Sequence, residues 1–297
     1  MLVVDNANYV FSSNGKAVAN VKSEEVVLFV TQDCFGGQIK DETQLIHEID
    51  LNKANPTAGP VYVEGAEVGD VIVADILDIK VGDKGFACSV PESGPLNDVS
   101  EIRTKIIDIK DDTAYYNDIK WKIDPMVGVI GTAPAEGEIP CGLAGNHGGN
   151  MDSKLIRKGS RVYLPVRVEG GLFQLGDLHA TMGDGEVSGT GIEICGEVLV
   201  RLSLIKNFEL NWPVTETDDM WYVNSTDPEY GKALTEASKE LMRLMKPVYD
   251  WDETDIFIYL SLQGDVGVNQ GVYPIHTPMF TLRFGIPKVV GKKALIE

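Results

Sequence analysis

The stretch "EVGDVIVADILDIKVG", Glu67 to Gly82, alternates with a period of two. Val71, Val73, Asp75 and Leu77 fall to one side, and Ile72, Ala74, Ile76 and Ile79 largely to the other. A helix spaces its apolar residues three or four apart, so this segment reads as a strand. The same signal recurs through the first two-thirds of the chain. "EVVLFVTQD" (Glu25 to Asp33) is a strand that ends in polar residues, and "DDTAYYNDIKWKI" is a hairpin turning at Asn117-Asp118. "PMVGVIGTAPA" is a short buried strand, and "GIEICGEVLVRLSLIK" is another strand. "SRVYLPVRVEGGLFQLGDLHA" reads as two strands joined by the tight-turn pair Gly170-Gly171. Short strands punctuated by Gly and Pro predict a mainly β protein with a β-sandwich-like body.

The pattern changes near Asn207. "DPEYGKALTEASKELMRLMKPVYD" predicts a helix, with Asp227 as N-cap, Pro228 in the first turn and Pro247 ending or kinking it. Leu234, Ala237, Leu241, Leu244, Met245 and Val248 carry its apolar face. A short second helix starts near Glu253, and "PMFTLRFGIPK" closes the chain as a strand. The reading is a β-rich catalytic body, 1–206, with a smaller C-terminal α+β section, 207–297, packed on it.

The net charge of -19 repels phosphate backbones, which excludes nucleic acid as the expected partner. No apolar run approaches the ~18 residues of a membrane span, and "MLVVDNANYV" lacks a basic leader segment, so neither a membrane partner nor a signal peptide is expected. Cys34, Cys88, Cys141 and Cys195 are far apart, which predicts free thiols in a reducing cytoplasm rather than a disulfide framework.

The chemistry concentrates in three stretches. "GDLHATMGDGEVSGTGIE" holds Asp177, Asp184, Glu186, Glu193 and one of only four histidines, His179, among five glycines. "GNHGGNMD", Gly145 to Asp152, adds His147 and Asp152, and "TQDCFGGQ" adds Asp33 and Gln38. Each borders a strand, so the three are expected to meet at one end of the β scaffold. Asp177 and His179, two apart on a strand, would point to one face and bind a divalent cation, zinc most simply. Acid-rich loops also suit calcium, although the histidines count against a purely oxygen site.

These motifs resemble the acetamidase/formamidase family. The resemblance is carried by "NHGGNMD", the following "GSRVYLPV", "GDLHATMGDGEVSGTGIE" and, around Asp33, "QDCFGGQ". It runs in order from Asp33 to Glu197 and continues more weakly through "LSLQGDVGVNQGVY" to the terminal "IPK". It implies a β-sandwich-like fold, a homo-oligomer (dimer or larger), and hydrolysis of short aliphatic amides such as formamide and acetamide to a carboxylate and ammonia. In that setting Asp177 and His179 are expected to hold the metal, completed from Asp33, Asp152 and Glu193. Glu186 is the expected general acid/base, with Asp184 and His147 as further catalytic candidates. Gly148 and Gly149 would stabilise the oxyanion through backbone N–H groups, and Asn150 and Gln38 would hold the substrate amide. Two rival readings stand beside this one: an amidase with Cys34 or Cys141 as nucleophile, and a non-enzymatic β-module that binds calcium or a sugar.

Overall fold

A computed structural model describes residues 1–90, 92–272 and 279–297 of the chain. His276, read from the sequence as a loop residue, lies outside the described residues, as do Thr277 and Pro278.

The protein is mainly β. Among the described residues the strands form one sheet of nine, one of eleven and a two-stranded ribbon. The long strand Val71–Val81 lies near the middle of the first sheet, between Gly196–Ile205 and Arg161–Pro165. Beyond Gly196–Ile205 come Glu25–Thr31 and Leu2–Val4. The second sheet is built around Phe173–His179, which has Met126–Gly131 on one side and both Thr57–Val63 and Glu193–Ile194 on the other. The hairpin at Asn117-Asp118 forms as expected, joining Thr113–Tyr116 to Ile119–Lys122.

The sheets face each other across one apolar core. Val27, Phe29, Ile72, Ala74, Ile76, Leu164 and Val200 meet Val61, Val127, Ile130, Phe173, Leu175 and Leu178 there. Each fully buried side chain of this size contributes about 1.5–3 kcal/mol relative to exposure. Strict alternation would send Ile79 away from this core. A bulge corrects the phase: Val200 stands opposite Ile76, Leu199 opposite Asp78 and Val198 opposite Ile79, so Leu77 is the extra residue. Val71 and Val73 face the other way, into a second apolar cluster that also takes in the C-terminal helices.

Two connections differ from the sequence reading. Arg161–Pro165 and Phe173–His179 are not a hairpin but lie in different sheets. Gly170 and Gly171 have φ of +75° and +65°, and a Cβ on either would strike the side chains of Tyr62 or Ile72. They therefore serve a tightly packed crossing between layers. "GIEICGEVLVRLSLIK" is likewise two strands, with Glu193–Ile194 in the second sheet and Gly196–Ile205 in the first. The chain changes sheet at Cys195. Local alternation reports a strand but not which partner it pairs with.

Helix α1 spans Tyr230–Tyr249 and α2 spans Glu253–Gln263. The first begins slightly later than expected: Glu229 is its N-cap residue, and Asp227 accepts a hydrogen bond from the Glu229 N–H. Pro247 is inside the last turn, and the helix stops two residues later. Asp252 caps α2 by accepting from the Asp255 N–H. Ala233, Ala237, Leu241, Leu244 and Met245 of α1 cover the outer face of the first sheet through Val214, Val223, Leu282 and Ile286. The strands Val214–Glu216, Met220–Asp227, Asp265–Gln270 and Phe280–Pro287 extend that same sheet, with Asp265–Gln270 at its edge. No described helix is long and apolar enough to cross a membrane.

Candidate active site

The site begins with a gap in the second sheet. Phe173–His179 is flanked by Thr57–Val63 as far as Gly176, which pairs with Thr57. Its last residues pair instead with Glu193–Ile194: Leu178 with Ile194, and His179 with Glu193. Asp177 falls between these two neighbours. Its φ is +56°, and the alternation slips by one residue there, so that Phe173, Leu175 and then Leu178 face the core. Without the slip, a carboxylate would have entered the apolar core. With it, Asp177 and His179 come together, Asp177 Oδ1 lying 3.6 Å from His179 Nε2.

Two loops complete the cluster. Asp152 follows the strand Gly148–Asn150, and Glu186 sits in the turn after His179. Both are again in the left-handed region, with φ of +46° and +45°. A non-glycine residue held there costs about 1–3 kcal/mol, and such residues gather where function overrides backbone preference. His179 Nε2 is 3.2 Å from Glu193 Oε1 and 3.9 Å from both Asp152 Oδ1 and Glu186 Oε1. All five side chains are at most 5% exposed.

Glycines make this approach possible. A Cβ on Gly128 would lie 2.5 Å from Asp152 Oδ1 and 2.9 Å from Asp177 Oδ2, and one on Gly191 would lie 2.7 Å from His179 Nδ1. Two carboxamides then grip the acids from outside. Asn55 Nδ2 donates to Asp177 Oδ2 (2.7 Å), while Gln270 Nε2 donates to Asp152 Oδ2 (2.7 Å) and to Glu186 Oε2 (2.9 Å). The sequence reading missed Gly128, Asn55 and Gln270. Asn55-Pro56 carries only a turn signal, and Gln270 lay in the quoted "VNQGVY" stretch without a role.

The electrostatics follow from burial among like charges. Burial, offset by His179 but reinforced by Asp177, pushes Glu193 up to about 7. Burial and the charges of Glu186 and Asp177 push Asp152 well above the usual carboxylate range. Burial alone would lower His179, but Glu193 and Asp177 raise it well above the ordinary imidazole value. Asp152 Oδ1, Asp177 Oδ1 and Glu193 Oε2 are buried without a hydrogen-bond partner. Buried acceptor oxygens without donors are costly. A divalent cation is what such a set fits, and ligand atoms of Asp152, His179 and Glu186 all lie within 4.8 Å of one another.

The other expected site residues are placed as follows. Asp33 Oδ1 accepts from the Phe35 and Gly37 N–H groups of its own loop, and its charge reaches Asp177 from the rim. It is Cys34, next to it, that enters the cluster, within 4.8 Å of Asp177 and Glu193 ligand atoms. Gln38 is engaged with backbone, donating to Phe35 O and Asp50 O and accepting from the Asp50 N–H. Asp184 is drawn away from the centre by Arg283, which binds both its oxygens at 2.8–2.9 Å, and by Lys154 at 2.9 Å. His147 is buried against the edge of Phe11 with neither ring nitrogen bonded, and burial first and Arg167 second push it down to about 4. Gly148 and Gly149 run between two paired strands, Met126–Gly131 and Ala144–Gly145. The Asn150 carboxamide oxygen is buried and unpartnered. Burial also raises the thiols of Cys34 and Cys141, the latter to about 12, and the charges that add to this are negative: Glu193, Asp177 and Asp33 on Cys34, and Asp177 on Cys141.

Comparison with known proteins gives this arrangement relatives. A solved structure described as a predicted acetamidase/formamidase, from Thermoanaerobacter tengcongensis, superposes with a TM-score of 0.92 at 38% identity, covering 96% of this chain and 95% of that one. An acetamidase structure from Bacillus halodurans superposes equally well, with a TM-score of 0.92, 36% identity and coverage of 96% and 97%. A formamidase of Methylophilus methylotrophus is 29% identical over 251 residues, 64% of this chain and 62% of that protein, so the chain spans less than two-thirds of that relative's length. The family model for acetamidases and formamidases matches residues 11–141 and 138–238, stretches that contain Cys34, Asp152, Asp177, His179, Glu186 and Glu193. With that match over most of its length, the chain belongs to the acetamidase/formamidase family.

Proposed function

We propose that this protein hydrolyses short aliphatic amides, formamide and acetamide among them, to a carboxylate and ammonia. The observation that carries the reading is the buried group Asp152, Asp177, His179, Glu186 and Glu193, in which Asp152 Oδ1, Asp177 Oδ1 and Glu193 Oε2 are left without donors, in a chain of this family. Asp177, His179, Asp152 and Glu193 would hold a divalent cation, and the mixed imidazole and carboxylate set favours zinc over calcium. When bound, such an ion polarises the amide carbonyl and brings the pKa of water to about 7. Glu186 takes the proton from the attacking water at Oε1 and returns it to the departing nitrogen, which leaves as ammonia rather than as an amide anion. Asn150 offers its carboxamide to the substrate. Burial keeps bulk water away from the reacting group and strengthens every charge interaction there.

A cysteine nucleophile fits less well. A thiolate needs a neighbouring cation or base, whereas Cys34 lies among Glu193, Asp177 and Asp33. As parts of the same proposal, the protein acts in the cytoplasm, with its cysteines reduced, as a homo-oligomer. Elemental analysis of the purified protein beside an ammonia assay on formamide, acetamide and propionamide tests the reading. Ammonia release with about one zinc or more per chain is expected. Turnover with no metal above background would overturn the metal mechanism, and no ammonia from any of the three would overturn the activity.

A further inference from the structure

Gln270 comes from the edge strand of the other sheet, yet its side chain bridges two acids of the cluster. Its carboxamide nitrogen can only donate, and both hydrogens are used: on Asp152 Oδ2 and on Glu186 Oε2. The remaining oxygens, Asp152 Oδ1 and Glu186 Oε1, are those that face His179 Nε2, each at 3.9 Å. One amide thus occupies the outer oxygen of each acid and turns the inner oxygen of each toward a common centre.

The local fold is arranged to aim this side chain. The register shifts between Val268 and Gln270, so Asn269 is an extra residue. A bulge of this kind re-aims a side chain at a strand edge. Gln270 N–H donates to Thr281 Oγ1, whose hydroxyl donates to Met151 O, the residue before Asp152. On its other side Gln270 bridges to Gly185, the residue before Glu186. A backbone bridge therefore ties Gln270 to the neighbour of Glu186, and the Thr281 hydroxyl relays it to the neighbour of Asp152.

We infer that Gln270 is a positioning residue: it splits the roles of two like acids by fixing which oxygen of Asp152 faces the cation and which oxygen of Glu186 faces the water. This rests on the proposed amide hydrolysis, in which Glu186 handles the proton. An ordinary packing role would predict a loss of stability without a selective loss of turnover.

The test is Gln270→Met, which keeps length and volume but removes both donors. The thermal midpoint should stay within a few degrees of wild type, KM should change less than about threefold, and kcat should fall about 10²-fold, the size of effect a misplacement of about 1 Å produces. Because Gln270 acts in part through Glu186, that part of its effect should be lost once Glu186→Gln is in place: the double variant should be clearly faster than the product of the two single losses. A crystal structure of Gln270→Met should show the carboxylates of Asp152 and Glu186 rotated relative to His179. Unmoved carboxylates, unchanged kcat, or losses that multiply in the double variant would each overturn the inference. A Glu186→Gln variant with full turnover would instead overturn the catalytic reading, and the rotation in the crystal would still decide the role of Gln270.

Discussion

At the scale of single residues, the most informative position is a glycine without a special backbone. Gly128 carries no positive φ, so its requirement is for space alone. A Cβ there would press on Asp152 Oδ1, Asp177 O and Asp177 Oδ2 at 2.5–2.9 Å, closer than such contacts are tolerated. Gly128→Ala should therefore leave a folded protein but push two acids off their positions, with kcat reduced about 10²-fold in the ammonia assay. Wild-type turnover would mean that the two carboxylates have room to retreat. His147 makes a different kind of prediction. Its folded-state value of about 4 lies below the ordinary 6.5 because burial disfavours the charged ring. Between those values the unfolded chain binds a proton that the folded chain refuses, so stability falls as pH drops from 6.5 to about 4 and this contribution then levels off. Replacing the ring by leucine, His147→Leu, should make the thermal midpoint less sensitive to pH across that window. Parallel curves for the two proteins would show that His147 is not the group responsible.

At the scale of elements, the turn bearing Glu186 is not free-standing. Gly185 N–H donates to Asn269 O, and Gly271 N–H donates to Gly185 O, so the turn docks on the edge strand Asp265–Gln270. Arg283 locks this docking through a forked contact to Asp184 and a bond to Asn269 Oδ1, and Asn269 continues to Asn224 and Thr215 inside the sheet. Lysine cannot reproduce a planar fork. Arg283→Lys should cost about 2 kcal/mol of stability, the worth of one or two charge-assisted hydrogen bonds, and slow turnover about tenfold or more by loosening Glu186. Denaturant midpoints and kcat together check this; lost stability with unchanged turnover would show that the turn keeps its shape without the lock. The same elements explain what was legible beforehand. Asp177, His179, Glu186, Glu193 and Asp152 stood out because scarce histidine, acids and glycines crowded together at strand ends. Asp184 stood out for the same reason, although it faces Arg283: composition marks a turn but not the direction of each side chain in it. Gln270 and Asn55 gave no local sign, since a lone amide acquires its meaning from the strand across from it. The Gly170-Gly171 crossing was misread for a related reason, because a turn signal does not tell whether the chain returns to the same sheet.

At the scale of the whole molecule, a chain of net charge -19 places four of its acids and a histidine almost out of contact with water, at a seam where the second sheet, two of its loops and the edge of the first sheet meet. The fold must offset that repulsion, and it has two means: a cation, or protons. They predict opposite behaviour for Glu193→Gln. The folded-state value of Glu193, about 7, lies above the ordinary 4.5. A group raised in this way contributes stability that is present at low pH and lost as pH rises through about 7. Metal-free wild type should therefore be less stable than metal-free Glu193→Gln at pH 8, and the gap should close at pH 5. Adding zinc to wild type at pH 8 should reverse the order. A site at one hundred times its dissociation constant gains about 2.7 kcal/mol, and the amide variant, short of one charged ligand, should gain much less. A chelator should lower the thermal midpoint of wild type and barely move that of Glu193→Gln. The measurement is the midpoint of both proteins, with chelator and with zinc, at the two pH values. If the chelator leaves wild type unmoved and zinc adds nothing, the acids are neutralised by protons alone, and the buried cluster would have to work as a proton store instead of a metal centre.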